Sequence, residues 1–305
     1  MKYMNVGSAE INASQVVLGC MRMNEKTVDE SQSIIETAVN NGINFFDHAD
    51  IYGRGASEEL FGQALKNSEI KREDIFIQSK AGIRKGMFDF SKEHLMTTVE
   101  GSLKRLQTDY LDFLLLHRPD ALYEPEEIAE TFDLLKSQGK VRYFGVSNQN
   151  PYQIELLNKY LNVPITANQL QFGPAHTGMI DAGFNVNMLN DAGINRDGGI
   201  LDYCRLHNIT IQPWSPYQVD LGQGLFIKHP DYKELTQTLN EMAEEKGITL
   251  EALTIAWINR HPANMQPIIG TMNLDRITAI AQGADIQLSR EEWYKIYLSA
   301  GNTLP

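Results

Sequence analysis

Apolar runs rich in β-branched and aromatic residues recur along the chain at Val16–Gly19, Asn44–Ala49, Ile75–Ala81, Leu111–Arg118, Val141–Asn148, Thr166–Phe172, Thr210–Ser215 and Met265–Gly270. Most are continuously apolar or close on a polar residue, the pattern of strands covered outside by helices and filled inside by side chains. Between them the apolar positions change to helical spacing, at Thr27–Gly42, Ser57–Asn67, Ser91–Gln107, Pro125–Gly139, Pro151–Tyr160 and Leu250–His261. Ser57, ahead of two glutamates, is placed as a helix N-cap, and Gly42 and Gly139 as helix stops.

Eight strand runs alternating with helical stretches, of which these six are examples, predict an α/β fold, a closed (β/α)8 TIM barrel. The runner-up, an open doubly wound sheet, calls for a glycine-rich turn after its first strand. Here that segment reads CMRMNEKT, and Gly53 and Gly55 follow a different strand, where they read as a flexible loop. Two stretches break the alternation. Tyr3 to Gln15, with a Gly-Ser turn between short alternating runs, predicts an N-terminal β-hairpin below the barrel. Gly173 to Gly199 is polar and too long for an ordinary connection. It predicts an extended loop on the substrate side, with a disordered insertion as the alternative.

A chain of 305 residues can be one such domain, spanning 1–305, and 42% hydrophobic with 22% charged residues suffices for a sizeable core. The net charge of −12 argues against nucleic acid or an anionic membrane as partner, because those surfaces need clustered Lys and Arg. Cys20 and Cys204 are too few for a disulfide framework, the opening MKYMNVGSAEINAS has no apolar signal core, and no apolar run is long enough to span a bilayer. A cytoplasmic, reducing setting is the expectation, with a monomer as the default.

In a barrel the C-terminal ends of the strands form the active mouth. Asp47, Lys80 and His117 stand near the ends of three consecutive runs, and Tyr52 lies a few residues into the following loop. Taken singly, these residues read as a capping Asp, a surface Lys and a core His; together they are a set able to run a hydride transfer. Tyr52 is the proton donor. Its hydroxyl has an ordinary pKa of about 10, and an ammonium a few ångströms away favours the phenolate. His48 and Asp50 flank the motif, but no Cys/His cluster or H-x-x-x-H spacing supports a metal.

FFDHADIYG, then QSKAG, LLLHRPD and FGVSN, together resemble the aldo-keto reductases over nearly the whole chain. The stretch Met179 to Gln218 is most similar to a bacterial subgroup of oxidoreductases in that family. The resemblance implies a barrel that binds an extended nicotinamide dinucleotide and reduces aldehydes or ketones. It assigns Tyr52 as general acid, Lys80 and Asp47 as the pair lowering its pKa, and His117 as the group orienting the carbonyl or relaying the proton. It further implies Ser147, Asn148 and Gln169 at the nicotinamide carboxamide, Trp214 stacked on the ring, and Ser215, Leu221, Gly222 and Gly224 over the pyrophosphate. Gly270, Thr271, Asn273 and Arg276 fall at the adenosine 2′-phosphate.

NADPH is expected over NADH because a guanidinium suits a phosphate dianion. Two departures weaken the match: many NADPH-dependent members carry Lys where this chain has Gly270, and Ala279 and Ile280 replace polar residues that often contact adenine. Met21, Met23, Phe88, His176 and Tyr217 are the candidate substrate walls, suited to hydrophobic aldehydes or ketones, although such residues are also ordinary core material. Arg84 is either a solvated arginine or an attractor of acidic substrates. Two other readings keep the fold: a cofactor-binding sensor or regulatory subunit, as the potassium-channel β subunits resemble, and a barrel hydrolase or isomerase without nicotinamide.

Overall fold

In the computed structural model, which describes residues 1–305, the apolar runs pair edge to edge around a central axis. The chain begins with a hairpin, β1 (Tyr3–Val6) and β2 (Ala9–Ser14), and then alternates β3 (Val17–Gly19), α1 (Val28–Asn40), β4 (Phe45–Asp47), α2 (Ala56–Asn67) and β5 (Phe76–Ala81). A small antiparallel flap, β6 (Ile83–Arg84) with β7 (Met87–Phe88), precedes α3 (Lys92–Leu106), β8 (Leu111–Leu116), α4 (Pro125–Ser137), β9 (Val141–Ser147), α5 (Pro151–Asn158) and β10 (Ile165–Gln171). The remainder comprises α6 (Gly178–Phe184), α7 (Ile200–Leu206), β11 (Thr210–Trp214), α8 (Lys233–Lys246), α9 (Leu250–Asn259), β12 (Ile268–Ile269), α10 (Leu274–Gly283) and α11 (Arg290–Ser299).

The eight-stranded sheet is parallel throughout, in the order β11, β10, β9, β8, β5, β4, β3, β12. Its last seam carries no ladder. The Gln266 N–H donates to the Ile211 carbonyl at 2.9 Å, joining the approach to β12 onto β11. The eighth strand is therefore shorter than the expected Met265–Gly270. Pro267 has no N–H to continue the seam, while its carbonyl accepts from Val17 at 2.9 Å on the other side.

Alternation along the strands divides the core in two. Phe46, Leu114 and Phe144 face outward into the shell packed under the helices. Phe45, Phe113, Leu115 and Ala167 face inward, where they meet Val6, Ala9 and Ala13 of the hairpin. The hairpin thus closes the bottom of the barrel. Its turn residue Gly7 has φ 56° and donates to Thr210 Oγ1 at 2.8 Å; a Cβ there would stand 2.3 Å from the Thr166 carbonyl oxygen, so only glycine fits.

Two expectations need correction. Ser57 is not the cap of α2, whose N-cap is Gly55 at φ 95°. Instead Ser57 Oγ donates to the Met21 carbonyl at 3.1 Å and accepts from the Asn24 N–H at 3.3 Å, pinning the loop after β3 against the helix. Gly173–Gly199 is neither disordered nor one open loop. Its middle forms α6, which docks on α11 through Phe184 against Tyr297 and through the Tyr297 hydroxyl donating to Asp181 Oδ1 at 2.7 Å.

Candidate active site

Lys80 organises the mouth. Its ammonium is fully buried and uses each of its donors: 2.7 Å to Asp47 Oδ2, 2.7 Å to the His48 carbonyl and 3.1 Å to the Tyr52 hydroxyl. Burial alone would pull the amine's pKa down, but Asp47 and Tyr52 outweigh it and hold the lysine above its ordinary value, charged. An ammonium has no acceptor, so the Tyr52 oxygen must accept from it and keeps its own proton free to deliver elsewhere.

Tyr52 opens a short 3-10 turn, Tyr52–Gly55, in which Gly53 has φ 57° and lies so close to Asn24 that a Cβ would stand 2.6 Å from the Asn24 Cβ. Its phenol is pushed above the ordinary value by burial, with Lys80 opposing and Asp47 reinforcing. Lys80 lowers its pKa, as expected of the ammonium, but burial outweighs that pull, and the resting group is a phenol. The ammonium's part is to stabilise the phenolate as it forms.

His117 follows β8 directly and meets the Tyr52 ring edge-on, with centroids 6.1 Å apart. Burial, then the charges of Lys80 and Arg118, drive its pKa down to about 2, so the imidazole stays neutral at any working pH. Its Nδ1 is buried without a protein partner. It is suited to orienting a carbonyl by hydrogen bonding, not to acting as an imidazolium acid.

Below the mouth lies an amide layer that the sequence reading missed. Asp47 Oδ1 accepts from Gln78 Nε2 at 2.6 Å and from Gln169 Nε2 at 3.0 Å. Gln78 and Gln212 exchange bonds of 3.0 and 3.1 Å, Gln212 donates to Gln266 at 2.9 Å, and Gln266 donates to the Ser14 carbonyl at the base of the hairpin at 2.9 Å. The register explains the convergence, since Asp47 pairs with Gln78 across β4 and β5 while Gln169 pairs with Gln212 across β10 and β11. With Oδ1 held by amides, Oδ2 is left to the ammonium. The available signal was a Gln two positions before Lys80 and before Trp214, on an otherwise apolar inward face.

Across the mouth, Ser147, Asn148, Gln169 and Trp214 come together. Ser147 Oγ donates to the Gln169 carbonyl at 3.1 Å, Asn148 Nδ2 donates to Ser147 Oγ at 2.7 Å, and Trp214 Nε1 donates to Asn148 Oδ1 at 3.3 Å. Trp214 is half-buried rather than a core residue. Asn148 (φ 56°) and Ser215 (φ 50°) leave the ladder in the left-handed region, a strained conformation that turns both into the mouth. Leu221, Gly222 and Gly224 are exposed in the next loop, and both glycines have positive φ and open space around them.

Near β12, Asn273 caps α10 by accepting from the Arg276 N–H at 2.9 Å, and its own N–H donates to Thr271 Oγ1 at 3.2 Å. Arg276 is exposed and sits 3.3 Å from Glu251. Gly270 offers its carbonyl to Arg22 Nη1 at 2.9 Å. Ile280 is fully buried under α10, so it is core rather than an adenine contact.

The candidate wall residues divide. Met21 and Phe88 are 50% and 45% exposed, with Phe88 on the flap. His176 is half-buried, its Nδ1 3.1 Å from the Val219 carbonyl. Met23 has no exposed surface and belongs to the shell under the helices. Tyr217 packs on the same shell and donates to the Glu251 carbonyl at 3.1 Å, so it fastens its loop to α9. Met23 therefore cannot be a wall, whereas Tyr217 keeps part of its surface exposed. Arg84 is tied to Asp89 at 2.6 Å.

Asp50 stands apart from the tetrad. Burial and the neighbouring Glu58 raise its carboxyl to about 6, and one oxygen is buried without a partner. Because the folded-state pKa is the higher one, folding is favoured below about 4 and loses stability as pH rises through 6. Asp50→Asn cannot ionise, so it should be more stable than the parent at pH 8 by about 1–3 kcal/mol and equal to it at pH 4, read by urea unfolding at both.

A family match covers residues 15–297 and is to the aldo/keto reductase family. The chain belongs to that family and is an NAD(P)H-dependent oxidoreductase. It is 35% identical to the uncharacterized oxidoreductase YcsN of Bacillus subtilis over 94% of each chain, and 32% identical to the oxidoreductase YdhF of Escherichia coli over 94% of this chain and 93% of that one. The crystal structure of an aldo-keto reductase from Klebsiella pneumoniae in complex with NADPH superposes with a TM-score of 0.75 at 25% identity, covering 97% of this chain and 93% of that one. No helix is long and apolar enough to cross a membrane.

Proposed function

We propose that the protein reduces aldehyde or ketone carbonyls to alcohols with NADPH, Tyr52 acting as the general acid. One observation carries this reading: the buried ammonium donates to the tyrosine oxygen at 3.1 Å, so the phenol proton points away from Lys80 and the phenolate it leaves behind is stabilised. Neutral His117 beside it supplies the hydrogen bond that orients the carbonyl oxygen. Asp47, fixed by Gln78 and Gln169, keeps the ammonium in place.

The residues across the mouth suit a nicotinamide dinucleotide. Ser147, Asn148 and Gln169 offer amide and hydroxyl groups for a carboxamide, and Trp214, held edgewise by Asn148, presents an aromatic face. Gly222 and Gly224 leave room for phosphate beside Ser215 and Leu221, while Thr271, Asn273 and exposed Arg276 suit a 2′-phosphate at the end of α10. When bound, the cofactor supplies the hydride; the protein's share is geometry and electrostatics at the carbonyl. Arg276 must leave or share Glu251, which favours a dianion over the neutral hydroxyl of NADH.

Titration of intrinsic fluorescence tests the cofactor preference. Trp257 and Trp293 are buried and stacked on each other at 4.9 Å, so quenching reports chiefly on Trp214. NADPH should bind at micromolar concentration and at least about 10-fold more tightly than NADH, a difference of about 1.4 kcal/mol. Arg276→Ala should narrow the gap. Equal affinities would remove the NADPH preference, and absence of binding to either dinucleotide would remove the reductase reading.

A further inference from the structure

Of the arginines around the mouth, Arg22 is bonded to the Gly270 carbonyl, Arg84 to Asp89 and Arg276 to Glu251. Arg118, immediately after His117 at the end of β8, has no hydrogen-bond acceptor and no carboxylate partner, and it is half-buried. Its guanidinium carbon stands 5.7 Å from the Trp214 ring centroid, so the side chain reaches across the opening from the proton-donating side to the aromatic side. Burial lowers its pKa, and its charge is felt by both His117 and Tyr52.

That arrangement costs free energy, because a guanidinium stays charged and has lost part of its hydration without gaining a counter-ion. A partner was close at hand in the sequence. Asp120, two residues on, instead accepts from the backbone N–H groups of Phe90 at 2.9 Å and Leu122 at 2.8 Å. In a chain with 39 acidic residues and a net charge of −12, an unpaired, partly desolvated arginine beside the reacting tyrosine calls for an anion from outside.

We propose that Arg118 binds a carboxylate carried by the substrate, so that the preferred substrates are short oxo-acids rather than neutral aldehydes or ketones. The planar fork of the guanidinium matches a carboxylate in two parallel hydrogen bonds. The carbonyl is then held at Tyr52 and His117 while the anionic end is fixed a few carbons away. This differs from the expectation of a hydrophobic substrate and places the anion attractor at Arg118 rather than at Arg84, which Asp89 pairs. The proposal rests on the carbonyl-reductase reading for its kinetic arm only.

The test compares 4-oxobutanoate with butanal, and 5-oxopentanoate with pentanal, as matched pairs with NADPH. In the parent, kcat/KM should favour the carboxylated member by roughly 10- to 100-fold, as expected of charge-assisted hydrogen bonds. Arg118→Gln should reduce that ratio to near one, chiefly through KM, and Arg118→Lys should recover part of it. In parallel, butanedioate should bind the NADPH-loaded parent and not the Arg118→Gln protein by calorimetry. No preference in the parent, an equal loss for both members of a pair, or a loss of NADPH affinity in Arg118→Gln would overturn the proposal. If no aldehyde is turned over while butanedioate still binds through Arg118, the anion site stands and the reductase reading falls.

Discussion

Tyr52→Phe should lose turnover by about 10²- to 10⁴-fold while binding NADPH as the parent does. The hydroxyl is the one group bonded to Lys80 that carries a transferable proton, and its removal leaves the Lys80–Asp47 pair intact at 2.7 Å. Steady-state kinetics with a neutral aldehyde, read beside the fluorescence titration, separates the two effects. Turnover within a few-fold of the parent would defeat the assignment of Tyr52. The same site predicts a simple pH profile. Reduction needs the phenol protonated, and burial holds its pKa above the ordinary 10, while His117 titrates only near 2. The kcat for reduction should therefore stay level from about pH 7.5 to 9 and fall only at more alkaline pH, and any step near 6 should belong to Asp50 rather than to His117 and vanish in Asp50→Asn.

Lys80→Met should remove turnover and also destabilise the fold by about 3–5 kcal/mol, because it strands the Asp47 carboxylate in the barrel interior without its counter-ion. The double variant Lys80→Met, Asp47→Leu should regain part of that stability and none of the activity. Denaturant unfolding of the parent, single and double variants measures the pattern, and a single variant as stable as the parent would show that Asp47 does not depend on the ammonium for its place in the interior. The two experiments are complementary, since Tyr52→Phe removes a proton with little effect on the fold and Lys80→Met removes the charge on which both depend.

Much of this could be read from the chain. The strands were legible because both faces are covered, which makes runs such as LDFLLL nearly continuous in apolar residues. Asp47, Lys80 and His117 were legible because a barrel gives meaning to the last residue of a strand. The amide layer was not. Gln78, Gln169, Gln212 and Gln266 lie far apart in sequence and each looks like a lone polar interruption; only the closed barrel brings them into hydrogen-bonding reach. Met23 was misplaced for a related reason, since an apolar side chain near the mouth reads the same whether it lines the opening or the shell behind it. Arg118 lies in LLLHRPD, but its lack of a partner depends on where Asp120 points, and only the folded chain shows that Asp120 turns to backbone amides.

The line of side-chain amides from Ser14 to Asp47 separates what can vary from what cannot. Asp47, and through it Lys80, is anchored from beneath, through the floor of the barrel, whereas the flap and the segments bearing Arg118, His176 and Leu221 belong to the loops above. A lineage, or an engineer, could therefore exchange the upper segments to admit a new substrate without retuning the acid. Conversely, a change that displaces the Ser14 carbonyl, remote from the mouth, would act on the last amide of that line rather than on the segments above it.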